Sequence, residues 1–323
     1  MTKKELKIDK DLKGIKKNVV LAKYTTFQIG GEAKYFFEAK NKKDLIKAVG
    51  VAKKYNLPFF ILGKGSNLLV ADEGYKGIVI KIKSGKFKIH NSKIMAEAGI
   101  RLGSLVNVAT KVSLSGLEWA VGIPGTAGGA IQGNAGAFGV FMKDVLKEVE
   151  IFDVKKNKIK ILKNKDCNFS YRNSIFKKNH NLIILSCEIQ LKKGNKQKIQ
   201  KLIQENLNYR KTRHPKEPSA GSVFKNIELK TLKPKFFRKF PEAKKIVKEN
   251  ILPVAFLINQ CNLKGKKINQ AQVSKIHPNF IVNLGGAKAK DVLKLINLIK
   301  KKIKEKFGIE LKEEIQYLGN FLS

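Results

Sequence analysis

The chain has 323 residues, of which 43% are hydrophobic, enough to bury a substantial core and to form two or three domains. It carries 66 Lys and Arg against 26 Asp and Glu, a formal net charge of +40. No apolar run is long enough to cross a membrane, and the first ten residues lack the apolar stretch of a secretory signal, so we expect a soluble, cytoplasmic protein without membrane contact.

The basic charge is spread along the whole chain and is not gathered in one segment. Such a distribution favours a solvated basic surface, and we predict no nucleic-acid partner. An electrostatic funnel for an anionic substrate is the alternative that remains open. The three cysteines, Cys167, Cys187 and Cys261, have no CxxC spacing, which predicts reduced thiols and no metal site.

Residues 1–83 are predicted to form a small α/β unit. Apolar residues recur at helical spacing from Lys42 to Asn56, and Pro58 follows the end of this helix. The next segment, "PFFILGKGSNLLVADEGYKGIVIKI", is typical of a strand, a loop, a short strand, a turn and a third strand.

Two further regions are predicted. Residues 84–205 contain short apolar runs around a glycine-rich segment and form a mixed unit. Residues 206–323 include a helix with an apolar face from Val292 to Phe307 that stops at Gly308, and then a final strand, "IELKEEIQYLG". Alternation along that strand would place Glu313 and Glu314 on opposite faces, and periodicity alone does not choose between them.

Two glycine segments suggest a phosphate-bearing ligand. "GKGSN", Gly63 to Asn67, follows a strand and offers consecutive backbone N–H groups, although a tight turn is the simpler interpretation. It is neither a dinucleotide fingerprint, because Leu68 replaces the third glycine, nor a P-loop. "GIPGTAGGAIQGNAGAFG", Gly122 to Gly139, has seven glycines in eighteen residues and no charge. Together the two segments could enclose a long, flat cofactor with a diphosphate.

Six motifs in series resemble those of the UDP-N-acetylenolpyruvoylglucosamine reductases. They are "TTFQIGG", "GKGSNLLVADEGYKG", "GIPGTAGGAIQGNAGAFG", "SYRNS", "SAGSVFKN" and "LKEEIQYLG". The resemblance spans residues 20 to 320 and implies an α+β fold. That fold is a two-part FAD-binding module of the vanillyl-alcohol-oxidase/PCMH type (1–83 and 84–205), followed by a C-terminal α+β substrate-binding domain (206–323). A short connection after "YRNSIF" and the lack of a long tyrosine-bearing loop resemble the shorter, second type of the family.

The resemblance implies a reaction in peptidoglycan precursor synthesis. NADPH would reduce non-covalently bound FAD, and the enolpyruvyl ether of UDP-N-acetylglucosamine would then be reduced to UDP-N-acetylmuramate. Hydride from flavin N5 to C3 would load charge onto C2 and the carboxylate. Arg172 and a protonated Glu314 would stabilise that charge, and Ser222 would protonate C2. A monomer is expected.

The resemblance also implies binding residues. Arg213 and Asn226 match positions that hold the uridine diphosphate, and His277 is a further substrate contact or a structural histidine. The predicted FAD contacts are Thr25, Gly63, Gly65, Ser66, Asn67, Gly122, Ile123, Pro124, Gly125, Thr126, Gly128, Gly129, Asn134, Ala135 and Gly136.

Each catalytic candidate has a simpler structural alternative. In isolation, Arg172 would form a surface ion pair and Ser222 a turn or cap. The family register selects Glu314 over its neighbour, although Glu313 stands where the family commonly has Pro. Two other classes share part of the pattern: an alcohol or sugar oxidase of the same fold would share the glycine segments, and a basic nucleic-acid-binding protein would share only the charge.

Overall fold

The computed structural model describes residues 3–232 and 235–321. Contacts between Cα atoms group the chain into two compact units, and both are discontinuous in sequence. The first unit contains residues 1–19, 33–64 and 76–212, and the second contains 20–32, 65–75 and 213–323. The second unit therefore takes in two short segments from the N-terminal quarter of the sequence.

The helices and strands are numbered along the chain. The helices are α1 (Lys3–Asp11), α2 (Lys42–Lys54), α3 (Leu102–Lys111), α4 (Ala127–Gly133), α5 (Ile175–Lys178), α6 (Lys196–Arg213), α7 (Lys235–Lys239), α8 (Val254–Gln260) and α9 (Ala289–Phe307). The first strands are β1 (Lys16–Val20), β2 (Glu32–Ala39), β3 (Phe59–Leu62), β4 (Leu68–Val70), β5 (Tyr75–Ile82), β6 (Phe87–His90), β7 (Lys93–Glu97), β8 (Leu114–Ser115), β9 (Gly136–Ala137), β10 (Val140–Phe141) and β11 (Leu146–Asp153). The remaining strands are β12 (Lys158–Lys163), β13 (Leu182–Gln190), β14 (Lys192–Lys193), β15 (Ser219–Ser222), β16 (Ile227–Glu228), β17 (Ile251–Leu252), β18 (Lys267–Ile268), β19 (Ala271–Val273), β20 (Phe280–Asn283) and β21 (Gln316–Leu318).

Two sheets carry the first unit. One has the strand order β1-β2-β5-β3 and the other the order β12-β11-β13-β7-β6. Helix α2 begins where the Asn41 side chain accepts the backbone N–H of Asp44 at 2.9 Å, and its apolar stripe, which includes Leu45 and Val49, is buried. Strands β3 and β5 run parallel with Leu62 opposite Lys81, which fixes where the chain leaves β3 for the first glycine loop.

The second unit is built on the sheet β15-β20-β19-β18 and on helix α9. The Asp72 carboxylate accepts the backbone N–H of Ala289 at 2.8 Å and of Lys290 at 3.1 Å, so it caps the start of α9. The helix ends at Gly308, whose φ of +68° is a left-handed conformation that glycine tolerates. The buried face of α9 consists of Val292, Leu295, Ile296, Ile299, Ile303 and Phe307, together with Ala289 and Asp291.

Residues of the segment 228–254 pack on the end of α9. The rings of Phe236 and Phe240 lie 6.4 and 4.7 Å from the ring of Phe307, between centroids. Strands β16 and β17 pair at the two ends of this segment and close it into a loop. The segment therefore extends the core of the second unit; residues 233 and 234 lie outside the described part.

The helix predicted after Lys42 and the helix that stops at Gly308 are confirmed, as are the three strands around the first glycine loop. The prediction of one strand across 309–319 is wrong, because regular pairing is confined to Gln316–Leu318, opposite the three residues of its parallel partner β4. The predicted division at residues 83 and 205 stays a prediction. Within residues 3–232 and 235–321, no helix is both long and apolar enough to span a bilayer.

Candidate functional site

The first glycine loop begins directly after β3, at Gly63. A methyl group on the Gly63 α-carbon would lie 2.7 Å from the hydroxyl oxygen of Thr126, so the first loop touches the second glycine segment at this point. From the neighbouring strand β5, the Lys81 ammonium donates a hydrogen bond to the Gly63 carbonyl oxygen. The two glycine segments and one lysine thus meet within the first unit.

The loop offers backbone donors after Gly63. Within the described part of the chain, the backbone N–H groups of residues 64–67 donate to no protein acceptor. Gly65 has a φ of +67°, and a Cβ atom there would lie 2.4 Å from the carbonyl oxygen of Tyr24, so only glycine fits. Successive N–H groups around a left-handed residue form a concavity that binds anions. The predicted contacts Gly65, Ser66 and Asn67 lie in this stretch of unpartnered N–H groups.

Two predicted cofactor residues of the second unit, Asn67 and Thr25, have side chains that bind protein atoms. The Asn67 side chain donates to the Glu314 carbonyl oxygen at 3.0 Å, and the Asn67 carbonyl oxygen accepts the N–H of Gln316 at 2.9 Å. The Thr25 hydroxyl donates to the Ala22 carbonyl oxygen at 3.4 Å. Asn67 therefore links the loop to the C-terminal segment that carries Glu314.

The second glycine segment folds into a short helix, α4. The Thr126 hydroxyl accepts the N–H of Gly129 at 3.3 Å, which caps the helix. The N–H groups of Ala127 and Gly128 donate to the carbonyl oxygens of Ile100 and Ala98, each at 2.9 Å. These three N–H groups are therefore committed to protein acceptors, in contrast to those of the first loop.

Asn134 ends α4 in a left-handed conformation and is 1% exposed. Its side-chain NH2 donates to the Ser170 carbonyl oxygen at 2.9 Å, and its side-chain oxygen accepts the N–H of Lys143 at 3.1 Å. Both ends of the amide bind backbone, so Asn134 fixes the "SYRNS" motif against the glycine segment. A direct contact of Asn134 with a cofactor stays a prediction.

Arg172 lies at the tip of a tight turn in that motif. Ser170 and Asn173 exchange two backbone hydrogen bonds, each 3.1 Å, and Arg172 between them has a φ of +53°. The guanidinium donates to the Gly136 carbonyl oxygen at 2.8 Å, and its carbon lies 5.4 Å from the centre of the Tyr171 ring. A left-handed conformation is uncommon for arginine, and these contacts hold the side chain in a defined position.

Ser222 ends strand β15, opposite Phe280 of β20. The register shifts between Ser219 and Ser222, and Gly221 in the shifted stretch has a φ of +78°. A bulge of this kind re-aims the side chain that follows it. The glycine of "SAGSVFKN" thus has a local reason, because the left-handed conformation in the shifted stretch is one that glycine adopts readily.

The segment after Ser222 pairs with the segment that contains Glu314. The Glu314 N–H donates to the Val223 carbonyl oxygen at 2.7 Å, and the Lys225 N–H donates to the Lys312 carbonyl oxygen at 2.9 Å. The second unit therefore holds Ser222 and Glu314 on neighbouring, hydrogen-bonded segments. This backbone pairing links the motif that contains Ser222 to the C-terminal motif.

The two adjacent glutamates have different surroundings. Glu313 accepts a hydrogen bond from the Lys300 ammonium of α9 at 2.9 Å. This ion pair gives Glu313 a role in attaching the C-terminal segment to the helix, and it agrees with the family register, which selects Glu314.

Of the predicted substrate residues, Asn226 has a structural contact and Arg213 ends a helix. The Asn226 side-chain oxygen accepts the N–H of Val254 at 3.1 Å, and Arg213 is the last residue of α6. Neither observation tests substrate binding, and both roles stay predictions.

His277 lies beside Ser222's strand partner. Its ring centroid is 4.9 Å from that of Phe280 and 6.0 Å from that of His214. Burial lowers the pKa of His277, so the imidazole is neutral at pH 7. Its Nδ1 atom is buried and has no hydrogen-bond partner in the described part of the chain. A neutral ring with one unused nitrogen can accept or donate one hydrogen bond to a ligand.

The two buried cysteines have protonated thiols. Burial raises the pKa of the Cys167 and Cys187 thiols to about 11 and about 12, so both are protonated at pH 7. Among the residues that the structure describes, no three His, Cys, Asp or Glu side chains are grouped as metal ligands would be.

Sequence reasoning missed two basic residues beside the glycine segments. Lys81 is one, and its position opposite Leu62 follows only from the parallel pairing of β3 and β5. Arg210 of α6 is the other; it donates to the Trp119 carbonyl oxygen at 3.1 Å and lies over the Phe138 ring. Neither residue lies inside a motif. Finding them from the sequence would have required the pairing of the strands and the packing of α6.

Two family profiles match the chain. The profile described as the FAD binding domain matches residues 33–161. The profile described as the UDP-N-acetylenolpyruvoylglucosamine reductase, C-terminal domain, matches residues 213–318. These matches and the mixed helices and strands confirm the predicted fold class, a flavin-binding module followed by a C-terminal α+β domain.

Individual relatives match over nearly the whole chain. The UDP-N-acetylenolpyruvoylglucosamine reductase of Anoxybacillus flavithermus is 39% identical over 308 residues, with 94% of each chain covered. The enzyme of the same name from Caldanaerobacter subterraneus is 41% identical over 304 residues, with 94% of this chain and 93% of that one covered. The crystal structure of UDP-N-acetylenolpyruvylglucosamine reductase from Thermus caldophilus superposes with a TM-score of 0.75 at 32% identity, covering 94% of this chain and 98% of that one.

Proposed function

The chain belongs to the UDP-N-acetylenolpyruvoylglucosamine reductase family, and on that premise we propose that it reduces UDP-N-acetylglucosamine enolpyruvate to UDP-N-acetylmuramate, with NADPH as reductant. This reaction would supply a precursor of peptidoglycan. The observation that carries the proposal is the hydrogen bond from the Glu314 N–H to the Val223 carbonyl oxygen. This bond keeps Ser222, the candidate proton donor, and Glu314, the candidate stabiliser of the developing charge, on paired segments.

FAD is the cofactor of this chain, and the residues present fit it. The N–H groups of residues 64–67, which donate to no protein acceptor in the described part of the chain, are suited to a diphosphate. Gly65 admits no side chain in this loop. When bound, FAD supplies the hydride for the carbon–carbon double bond of the enolpyruvyl group.

Ser222 donates the proton that completes the reduction, at C2 of the enolpyruvyl group. Ser222 follows a register shift next to Gly221, and an interruption of regular pairing of this kind is typical of strands beside active sites. A serine hydroxyl is a weak acid, so it needs neighbours that stabilise the alkoxide. Lys225 follows three residues later and is a candidate for that role.

Glu314 and Arg172 stabilise the negative charge that develops on the substrate. Glu314 acts as a hydrogen-bond donor in its protonated form, and its backbone is fixed by Asn67 and Val223. Arg172 contributes a fixed positive charge from its turn, where the Gly136 carbonyl oxygen and the Tyr171 ring orient the guanidinium. Such preorganised charge acts without rearrangement during the reaction.

Arg213 and Asn226 bind the uridine diphosphate of the substrate, and His277 is a further substrate contact. Arg213 provides positive charge for the diphosphate, and the neutral His277 ring provides one hydrogen bond. Because the Asn226 side-chain oxygen already binds Val254, its side-chain NH2 is the end that would contact the substrate.

Separate measurement of the two half-reactions tests the proposal. In anaerobic stopped-flow experiments, NADPH should bleach the flavin absorption, and the UDP-sugar should restore it. Replacing Ser222 with Ala should leave bleaching nearly unchanged and slow the restoration by about 10²- to 10⁴-fold, the usual contribution of a general acid. Ser222→Cys should recover part of the rate because a thiol can also donate a proton.

Three results would contradict the proposal. A colourless purified protein would contradict the assignment of FAD as cofactor. A bound flavin that NADPH does not bleach would favour an oxidase of the same fold. Equal slowing of both half-reactions in Ser222→Ala would show that Ser222 supports the flavin position or the fold and does not donate the proton.

A further inference from the structure

Several cations lie near Gly63, the first residue of the glycine loop, within the first unit. Lys81 on β5 donates to the Gly63 carbonyl oxygen, and Lys64 is the next residue of the loop. Arg101 pairs with Thr126 in an isolated β-bridge, and Thr126 lies against Gly63. Of these cations only Lys64 lies in a family motif.

Lys81 has no carboxylate partner within residues 3–232 and 235–321. The positive charges of Lys64, Lys83 and Arg101 lower the pKa of Lys81, and the negative charge of Glu38 raises it. Glu38, the one acid among them, lies 3.1 Å from the ammonium of Lys83 in an ion pair. Three cations therefore act on Lys81 against one carboxylate that is already paired, and the site is electropositive.

We propose that the Lys81 ammonium binds a phosphate group of FAD beside Gly63. The inference rests on the proposed FAD site and deepens it, by adding a charged side chain to the backbone donors of the loop. An ammonium that uses one proton on the Gly63 carbonyl oxygen has two further protons for phosphate oxygens. A phosphate also relieves the repulsion among the three neighbouring cations, which a neutral ligand does not.

The proposal has a consequence for pH. Burial, followed by the charges of Lys64 and Lys83, lowers the pKa of Lys81 to about 8 in the FAD-free chain. A bound phosphate favours the charged form and raises that pKa, so FAD binding takes up a proton above about pH 8. FAD affinity should be full below that pH and fall as pH rises, by up to about tenfold per pH unit.

Equilibrium dialysis of the full-length holoprotein at pH 7, 8 and 9 measures this dependence. Lys81→Met should weaken FAD binding at pH 7 by about ten- to hundredfold, the value of a charge-assisted hydrogen bond. Lys81→Arg keeps a positive charge that does not titrate, so its affinity should lose the dependence on pH. Lys76→Met, an exposed lysine on the same strand, removes the same charge and should leave affinity within twofold.

Each alternative result overturns the proposal. If Lys81→Arg retains the same pH dependence as the parent, another group titrates. If Lys81→Met weakens FAD while the parent shows no dependence on pH, Lys81 only supports the Gly63 carbonyl. If Lys81→Met binds FAD as Lys76→Met does but is reduced more slowly by NADPH, the cation serves the phosphates of NADPH. Failure of the proposed function is distinct, since a holoprotein that fails to turn over the UDP-sugar can still show this pH dependence.

Discussion

The two glycine segments are alike in composition and different in what glycine does there. In the first, Gly65 allows the chain to turn so that the N–H groups of residues 64–67 point to no protein acceptor in the described part of the chain. In the second, the N–H groups at the start of α4 are used by protein, and Gly128 and Gly136 allow close packing: a Cβ atom would lie 2.9 Å from Ala98 Cβ and 2.3 Å from Phe141 Cδ1. Glycine richness alone therefore does not identify a ligand-binding loop.

The largest effect is expected at Gly65. Gly65→Ala adds a methyl group 2.4 Å from the Tyr24 carbonyl oxygen in a residue with a φ of +67°. We expect a loss of about 3 kcal/mol or more of unfolding free energy, since both a left-handed conformation and a backbone clash are imposed. Urea unfolding and flavin absorption of the dialysed protein measure it. A variant that retains stability and flavin would mean that the loop adjusts freely, and the contrast between the segments would fail.

An intermediate effect is expected at Gly136. Gly136→Ala places a Cβ atom 2.3 Å from the Phe141 ring and 2.7 Å from the Val140 carbonyl oxygen, in the β9–β10 hairpin. We expect about 1–3 kcal/mol of lost stability, because overpacking forces side chains and backbone to shift. Thermal unfolding should show it, while FAD affinity should change less than in Gly65→Ala. The opposite ranking of the two variants in flavin binding would reverse the assignment of the segments.

The smallest effect is expected at Gly133, at the end of α4. Apart from its chain neighbours and the helix's own backbone, no atom of the described residues lies within 4 Å of a Cβ atom added there, and its backbone conformation is helical. Gly133→Ala should be neutral or raise the unfolding free energy by up to about 1 kcal/mol, because alanine loses less entropy on entering a helix. Measured in the same unfolding assay, Gly133→Ala is the matched control for Gly136→Ala. A marked loss of FAD in this variant would reveal a cofactor contact at the helix end.

Sequence reasoning predicted features that local signals encode. The apolar stripes of α2 and α9 and the stop at Gly308 lie in single segments, and they were confirmed. The strand over 309–319 was overextended because its length depends on a distant partner: β4 supplies only Leu68–Val70. Lys81 was missed for the same reason, because its position depends on pairing with a distant segment: its neighbour across the sheet is Leu62, nineteen positions earlier in the chain. The roles of Arg172, Ser222 and Glu314 came from motifs and await the half-reaction measurements.

The short parallel pair of β4 and β21 has a consequence for the order of folding. Asn67 and Leu68, close to the N-terminal end, are bound by Glu314 and Gln316, near the C-terminal end. Contacts between residues so far apart in sequence form late, because the entropy cost of closing a long loop comes before the free energy that the contacts provide. The loop that we assign to the diphosphate therefore lacks this support while the chain is still on the ribosome. We therefore expect a polypeptide truncated before residue 314 to bind FAD more weakly than the whole chain, which flavin absorption after dialysis measures.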